Sequence, residues 1–156
     1  MDIALIAVGK TATGYVREGI EEYLKRLKHY IPFTMETVPD VRGGKLSEEQ
    51  QKRLEGERIL SLIRPADRVV LLDERGAEYT SEKFAERIQK DMASGLKRLV
   101  FVIGGPYGFS PEVYGRADGK LSLSKMTLNH EMVRMFFVEQ VYRAMTILRG
   151  EPYHHR

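Results

Sequence analysis

The feature that most constrains the fold of this chain is an unbroken apolar run, LVFVI at residues 99–103, which ends in a glycine-rich loop. A run this short, without polar alternation, predicts a strand buried on both faces, as in a parallel sheet. The loop that follows, GGPYG at residues 104–108, contains three glycines, which let the backbone turn tightly or lie against a ligand. The pattern therefore predicts an α/β fold with a binding loop at the end of a buried strand.

Strand and helix patterns alternate along the whole chain. Thr13 is placed to cap the first helix, Ser47 with Gln50 forms a capping-box pattern, and Thr80 or Ser81 caps the third helix. Predicted strands span residues 3–8, 33–38, 68–73, 99–103 and 121–124, and the helices between and after them end near residues 30, 63, 93, 117 and 148. This order predicts a mostly parallel sheet covered by helices on both faces. From the residues alone we expect an unknotted, flavodoxin-like arrangement, because threaded connections are very rare.

Composition limits the classes of protein and of chemistry. A chain of 156 residues that is 42% hydrophobic fits one domain, residues 1–156, with a substantial core. The net charge of +3 permits an RNA partner without requiring one. The absence of cysteine excludes disulfides, zinc–thiolate sites and cysteine nucleophiles, and no other metal-ligand cluster is apparent. The apolar start is too short to span a membrane and lacks the basic head of a signal peptide, which predicts a cytoplasmic protein with no membrane contact.

The final predicted helix, from about residue 129 to 148, is apolar around most of its circumference. It follows the segment LSLSKMTL at residues 121–128, whose small hydroxyl residues offer hydrogen bonds without bulk. A helix that is apolar so widely needs more than one partner surface. Its apolar residues are Met132, Val133, Met135, Phe136, Phe137, Val138, Val141 and Met145.

Four motifs occur in a fixed order: IGGPYG at 103–108, LSLSKMT at 121–127 followed by His130, EQVYRA at 139–144, and PYHH at 152–155. In their order and spacing they resemble the family of ribosomal large-subunit RNA methyltransferases H, small members of the SPOUT class. The resemblance covers the whole chain, including VGK at 8–10. It implies a C-terminal deep trefoil knot from about Gly104 onward, a homodimer, and methyl transfer from S-adenosylmethionine to N3 of a pseudouridine in large-subunit ribosomal RNA.

The resemblance also implies which residues bind the methyl donor in a bent shape. The alternative is that the glycines only form turns and that Leu123 and Met126 are core residues. Glycines would let the backbone approach the nucleoside, and apolar side chains would form a slot for the base. The implied donor-binding residues are Leu72, Gly104, Gly105, Leu123, Ser124, Lys125, Met126, Thr127 and Leu128.

The same resemblance implies a catalytic set at the subunit interface: His130, Glu139, Arg143, Tyr153 and His154. As a hypothesis, His154 or His130 removes the N3 proton, since neutral imidazole suits that role near neutral pH. Arg143 and Arg134 would stabilise the developing anion or grip phosphates, and Glu139 would orient an arginine. The alternative interpretations are a surface ion pair for Glu139 and Arg143, a capping neighbour for His130, and a disordered tail.

Other functions remain open at this point. The alternatives are a SPOUT methyltransferase of another RNA, such as transfer RNA, and a ribosome-associated cofactor-binding protein without catalysis. A flavodoxin-like nucleotide binder is disfavoured, because no glycine-rich nucleotide motif follows the first strand. The basic stretches KRLKH at 25–29 and RGGK at 42–45 are candidate phosphate contacts or simply a solvated helix face and a loop. The small size of the chain favours recognition of its target on an assembled ribosomal particle.

Overall fold

The computed structural model describes residues 1–41 and 44–155, so Arg42 and Gly43 of the predicted basic loop, and Arg156 of the tail, lie outside the described residues. Strands and helices alternate in the predicted order. They are β1 (Asp2–Val8), α1 (Gly14–Leu27), β2 (Phe33–Val38), α2 (Glu48–Ser61), β3 (Arg68–Glu78), α3 (Ser81–Ala93), β4 (Arg98–Ile103), α4 (Pro111–Arg116), β5 (Gly119–Ser122) and α5 (Met132–Leu148).

The strands form one five-stranded, wholly parallel sheet in the order β2-β1-β4-β3-β5. Helices α1, α3 and α5 bury their apolar side chains on one face of the sheet, and α2 and α4 do so on the other. The apolar run that ends β4 is buried along its whole length, as a strand covered on both sides requires. The predicted α/β class and the two helical layers are therefore confirmed.

The strand order differs from the flavodoxin-like arrangement expected from the residues alone. That fold has the order β2-β1-β3-β4-β5, whereas here β4 lies next to β1 and β3 lies between β4 and β5. The expectation was wrong because alternating patterns identify strands but do not say which strands pair. The trefoil knot implied by the resemblance stays a prediction.

Two strand boundaries differ from those predicted. β3 continues past Asp73 to Glu78, with an irregularity between Leu72 and Ala77 in its register with β5. Gly76 allows this, because a Cβ there would lie 2.6 Å from the carbonyl carbon of Lys120. β5 begins at Gly119 and ends at Ser122, so the second half of the predicted strand at 121–124 belongs to the loop that follows.

The last helix begins three residues after the predicted start. Asn129 Oδ1 accepts hydrogen bonds from the backbone N–H groups of Glu131 and Met132, at 2.9 and 3.3 Å, and so holds the turn before the helix. Glu131 in turn accepts hydrogen bonds from the backbone and hydroxyl of Thr13, at 2.8 and 3.3 Å. The start of α1 is therefore fixed to the start of α5.

The capping predictions hold for the second and third helices. Ser47 and Gln50 form a complete capping box on α2, and Thr80, rather than Ser81, caps α3 by accepting from Lys83 N–H at 3.1 Å. Thr13 occupies the N-cap position of α1 but makes no side-chain capping bond, because its hydroxyl and N–H are engaged by Glu131.

Candidate functional site

A cavity of about 590 Å³, which we call the loop cavity, lies between the loops that follow β4 and β5 and the irregular segment of β3 that contains Asp73, Glu74 and Arg75. It lies at the carboxyl ends of parallel strands, where open α/β sheets bind ligands. Its volume falls in the range of small-molecule sites. The apolar part of its lining includes Leu72, Ile103, Phe109, Leu121, Leu123, Leu128 and Val133.

Eight of the nine residues that the sequence assigned to the donor line the loop cavity: Leu72, Gly104, Gly105, Leu123, Ser124, Met126, Thr127 and Leu128. The ninth, Lys125, is not a lining residue, and its Nζ lies 3.5 Å from Glu78 Oε1 on the surface. Met126 is 79% exposed, which excludes the alternative that it is a core residue. The predicted residues are thus brought together, with Lys125 outside the group.

Charged side chains surround the opening of the loop cavity. Asp73 accepts a hydrogen bond from the Tyr114 hydroxyl at 3.0 Å and another from the backbone of Arg75 at 2.9 Å. Burial, followed by the contact with Asp73, raises the pKa of Tyr114. Lys52 reaches the cavity from α2, and Glu74 accepts from the Thr127 hydroxyl at 3.4 Å. Sequence patterns gave no indication of Lys52 or Tyr114, since both come from helices on the other side of the loops.

The glycine loop is closely packed at its first position. A Cβ added to Gly104 would lie 3.0 Å from the Phe109 ring and 3.3 Å from the carbonyl oxygen of Gly108. The backbone itself therefore forms this wall of the cavity. Such a wall suits a planar, hydrogen-bonding ligand such as a nucleoside, because main-chain groups can approach it directly.

Four of the predicted catalytic residues lie together around Arg143. With Tyr23, which was not predicted as a site residue, they form what we call the tail cluster: Tyr23, Glu139, Arg143, Tyr153 and His154. Arg143 donates from Nη2 and Nε to Glu139 Oε1, at 2.7 and 3.1 Å. Its Nη1 lies 3.0 Å from His154 Nδ1, and its guanidinium lies 4.8 Å from the centre of the Tyr153 ring. The side chains of Arg143 and Glu139 are only 24% and 17% exposed, so they do not form an ordinary surface ion pair.

The charges in the tail cluster fix its protonation. The hydrogen bond to Glu139 raises the pKa of Arg143, which therefore stays cationic. Burial, followed by the hydroxyl contact with Tyr23, raises the pKa of Tyr153, which keeps its phenol neutral. Because a guanidinium only donates, His154 Nδ1 accepts, and the proton of the neutral imidazole is on Nε2, 3.5 Å from Glu82 Oε1.

A second cavity, of about 560 Å³, lies between the helices and is called the helix cavity. Its lining includes Tyr23 and Glu139 of the tail cluster together with Phe84, Met135 and the 41% exposed Phe136. Among the described residues, the buried Oε2 of Glu139 has no hydrogen-bond partner. The loop and helix cavities share one wall, formed by Leu121, Leu123, Ser124 and Leu128.

Two predicted residues lie outside the tail cluster. His130 lines the loop cavity. Arg134 is 1% exposed, and its guanidinium donates to the carbonyl oxygens of Val8 and Gly9 at 2.7 and 2.8 Å. Arg134 is therefore a structural residue, and the hypothesis that it grips phosphate or stabilises the reaction was wrong.

No group of three or more histidine or acidic side chains that suits a metal ion is found in residues 1–41 and 44–155. In the same residues, no helix is both long and apolar enough to cross a membrane.

Comparison with known proteins identifies the family. A family model described as "Predicted SPOUT methyltransferase" matches residues 1–154. A protein of Parabacteroides distasonis is 58% identical over 99% of both chains, and one of Christiangramia forsetii is 59% identical over the full length of both. A third, from Flavobacterium johnsoniae, is 55% identical over the full length, and all three are named ribosomal RNA large subunit methyltransferase H. The resemblance noted in the sequence is thereby confirmed, and the chain belongs to the SPOUT methyltransferase family.

Proposed function

We propose that this enzyme transfers a methyl group from S-adenosylmethionine to N3 of a pseudouridine in large-subunit ribosomal RNA. The observation that carries the proposal is the loop cavity, since eight residues assigned to the donor from sequence meet there. The names of the full-length relatives support large-subunit ribosomal RNA as the substrate. The choice of pseudouridine N3 follows from the family resemblance.

The residues of the loop cavity fit this donor. Apolar side chains, such as Leu72 and Leu123, suit the faces of an adenine, and Asp73 and Glu74 offer carboxylates for ribose hydroxyls or an ammonium. Lys52 and Arg75 are cations suited to the donor's carboxylate. When bound, the donor supplies a methyl group already activated by its sulfonium. The protein then has to align the acceptor nitrogen and assist the loss of its proton.

We assign the proton transfer to the tail cluster. The hydrogen bond between Arg143 and His154 Nδ1 is broken when the substrate binds, and Nδ1 then accepts the N3 proton. The freed guanidinium donates to the uracil oxygens, where negative charge develops. Glu139 orients Arg143, and the neutral Tyr153 offers its ring for stacking on a base. His130, which lines the loop cavity, is the alternative base.

A homodimer would unite the two parts of the site. Within one protomer, the tail cluster borders the helix cavity rather than the loop cavity. We propose that the tail of one subunit reaches the loop cavity of the other, and that the apolar surface of α5 forms the contact. The exposed Phe136 and the unpartnered Glu139 Oε2, noted above for the described residues, support an interface on this side.

The dimer gives a direct prediction. Replacing Phe136 by aspartate should convert the protein from dimer to monomer at micromolar concentration and abolish methylation, because a charge would be buried in the interface. Analytical ultracentrifugation measures the mass. Met92→Asp is the matched control, since Met92 is also 41% exposed but lies on α3 and lines neither cavity. A wild-type protein that sediments as a monomer, or a dimer that survives the Phe136 change, would refute this arrangement.

The rest of the proposal concerns where the enzyme works. We propose that residues 1–156 act as a single methyltransferase domain, in the cytoplasm, on assembled ribosomes. Both buried clusters lie against the same sheet, which supports one domain. The small size of the chain, 156 residues, supports recognition of a particle rather than of free RNA.

Two assays test the function. Titration with S-adenosylmethionine should raise the melting temperature, whereas flavin mononucleotide and ATP should not. Labelled methyl groups should then be transferred to intact ribosomes more readily than to isolated large subunits or naked ribosomal RNA. Transfer to tRNA alone would favour a SPOUT enzyme with another substrate, and binding of the donor without any transfer would favour a non-catalytic protein.

A further inference from the structure

Helix α2 contacts both ends of the loop that joins β4 to α4, at two adjacent residues, Glu55 and Gly56. We propose that these two residues position the loop that binds the methyl donor, without touching the donor themselves. Neither lines the loop cavity, whereas the loop residues Gly104, Gly105 and Phe109 do. The inference rests on the proposed donor site, because it assigns the loop a ligand to hold.

Glu55 lies directly behind Gly105. Its side chain is buried, and a Cβ added to Gly105 would lie only 2.5 Å from Glu55 Oε1 and 3.2 Å from its carboxyl carbon. The carboxylate therefore occupies the space that any larger residue at position 105 would need. Among the described residues, Oε1 has no hydrogen-bond partner, so its contact with the loop is one of packing.

The carboxylate of Glu55 is also tethered. Its Oε2 accepts hydrogen bonds from the backbone N–H of Val41 and from the side-chain amide of Gln51, both at 3.3 Å. An unrestrained glutamate would swing away from an added methyl group at little cost. This one is buried and bonded on its other oxygen, so it resists displacement.

Gly56 approaches the other end of the same loop. A Cβ there would lie 2.5 Å from the hydroxyl of Ser110 and 3.2 Å from Val113 Cγ2. Ser110 begins α4 by accepting a hydrogen bond from the Val113 N–H at 3.3 Å. The absence of a side chain on Gly56 thus lets α2 lie directly against the cap at which the loop ends.

These contacts explain why the loop can present its backbone to a ligand. The two glycines at its start have no side chains to anchor them in the core, and α2 supplies the missing support from behind. If that support sets the donor-binding geometry, a methyl group on Gly105 should harm binding because of Glu55. The same methyl group should weaken donor binding much less when the carboxylate of Glu55 has been removed by mutation.

A double-mutant cycle measures this coupling. We expect Gly105→Ala to weaken S-adenosylmethionine binding by about tenfold or more in the wild-type background. In a Glu55→Ala background, the same change should weaken binding by less than about threefold, because the clash has been removed. Isothermal titration calorimetry gives the four affinities. Glu55→Asp, which shortens the side chain while keeping its charge, replaces Glu55→Ala if that variant does not fold.

The controls separate positioning from general stability. Gly115→Ala is the matched glycine variant, since a Cβ there meets nothing within 4 Å, and it should leave donor affinity unchanged. Equal losses of affinity for Gly105→Ala in both backgrounds would overturn the inference while leaving the donor site intact. A wild-type protein that fails to bind S-adenosylmethionine would instead overturn the proposed donor, and this inference with it.

Discussion

Replacing His154 by alanine is expected to lower the turnover of methyl transfer by about 10²–10⁴-fold, the contribution typical of a positioned general base. Donor affinity should change less than about twofold, because His154 is proposed to act on the acceptor nucleotide and the residues proposed to bind the donor are unchanged. The measurement is single-turnover methylation of ribosomes, with donor affinity determined separately by calorimetry. A loss in turnover alone is the expected result.

The adjacent His155 provides the matched control. It is exposed, lies one residue further along the tail and should tolerate alanine with little change in turnover. His130→Ala tests the alternative base in the same assay, and we expect a smaller loss than for His154→Ala. Normal turnover in the His154 variant would remove that residue from the mechanism, and a larger loss on changing His130 would transfer the role of base to it.

Replacing Arg134 by methionine is expected to lower the free energy of unfolding by about 3 kcal/mol or more. The guanidinium satisfies the carbonyl oxygens of Val8 and Gly9, and it also donates to the Thr11 hydroxyl at 3.0 Å. An unsatisfied buried polar group costs about 1–3 kcal/mol, and methionine leaves more than one. Burial lowers the pKa of Arg134. The guanidinium nevertheless acts as a hydrogen-bond donor, for example to the Val8 carbonyl oxygen.

Urea denaturation, monitored by circular dichroism, measures this loss. Arg53→Met is the control on an exposed position and should change stability by less than about 0.5 kcal/mol. An equally stable Arg134 variant would mean that the carbonyls find other partners. In that case Arg134 would not hold the end of β1, and its burial would need another explanation.

Local patterns in the sequence predicted most of the secondary structure. The capping box of Ser47 and Gln50 located the start of α2, and the apolar run before Gly104 located β4, because both signals act over a few residues. Eight of the nine proposed donor residues line one cavity, and they were assigned through the order of four motifs rather than through any single one. A glycine by itself is also explained by an ordinary turn, and a leucine by itself is also explained by the hydrophobic core.

Long-range features could not be predicted in the same way. Relative to the expected flavodoxin-like order, β3 and β4 have exchanged places in the sheet. Their places depend on pairing between distant segments, which alternating patterns do not encode. The burial of Arg134 is a second example. A charged residue on an apolar helix led to the hypothesis of a functional role, and nothing in the local sequence indicated that the side chain is buried. Its actual partners come from the other end of the chain. The contact between the hydroxyls of Tyr23 and Tyr153, at 3.3 Å, likewise joins residues 130 positions apart, which local patterns do not relate.

The buried guanidinium of Arg134 also bears on how the protein is made. Arg134 donates a hydrogen bond to the carbonyl oxygen of Val8 and lies 126 residues after it in the chain. The ribosome therefore synthesises the acceptor, Val8, long before the donor, Arg134. While the nascent chain is still emerging, the carbonyl oxygens of Val8 and Gly9 lack this donor, although β1 can already pair with β2. We therefore expect that strand to settle late, after the last helix has left the exit tunnel, and vectorial synthesis gives the N-terminal half no advantage in folding first.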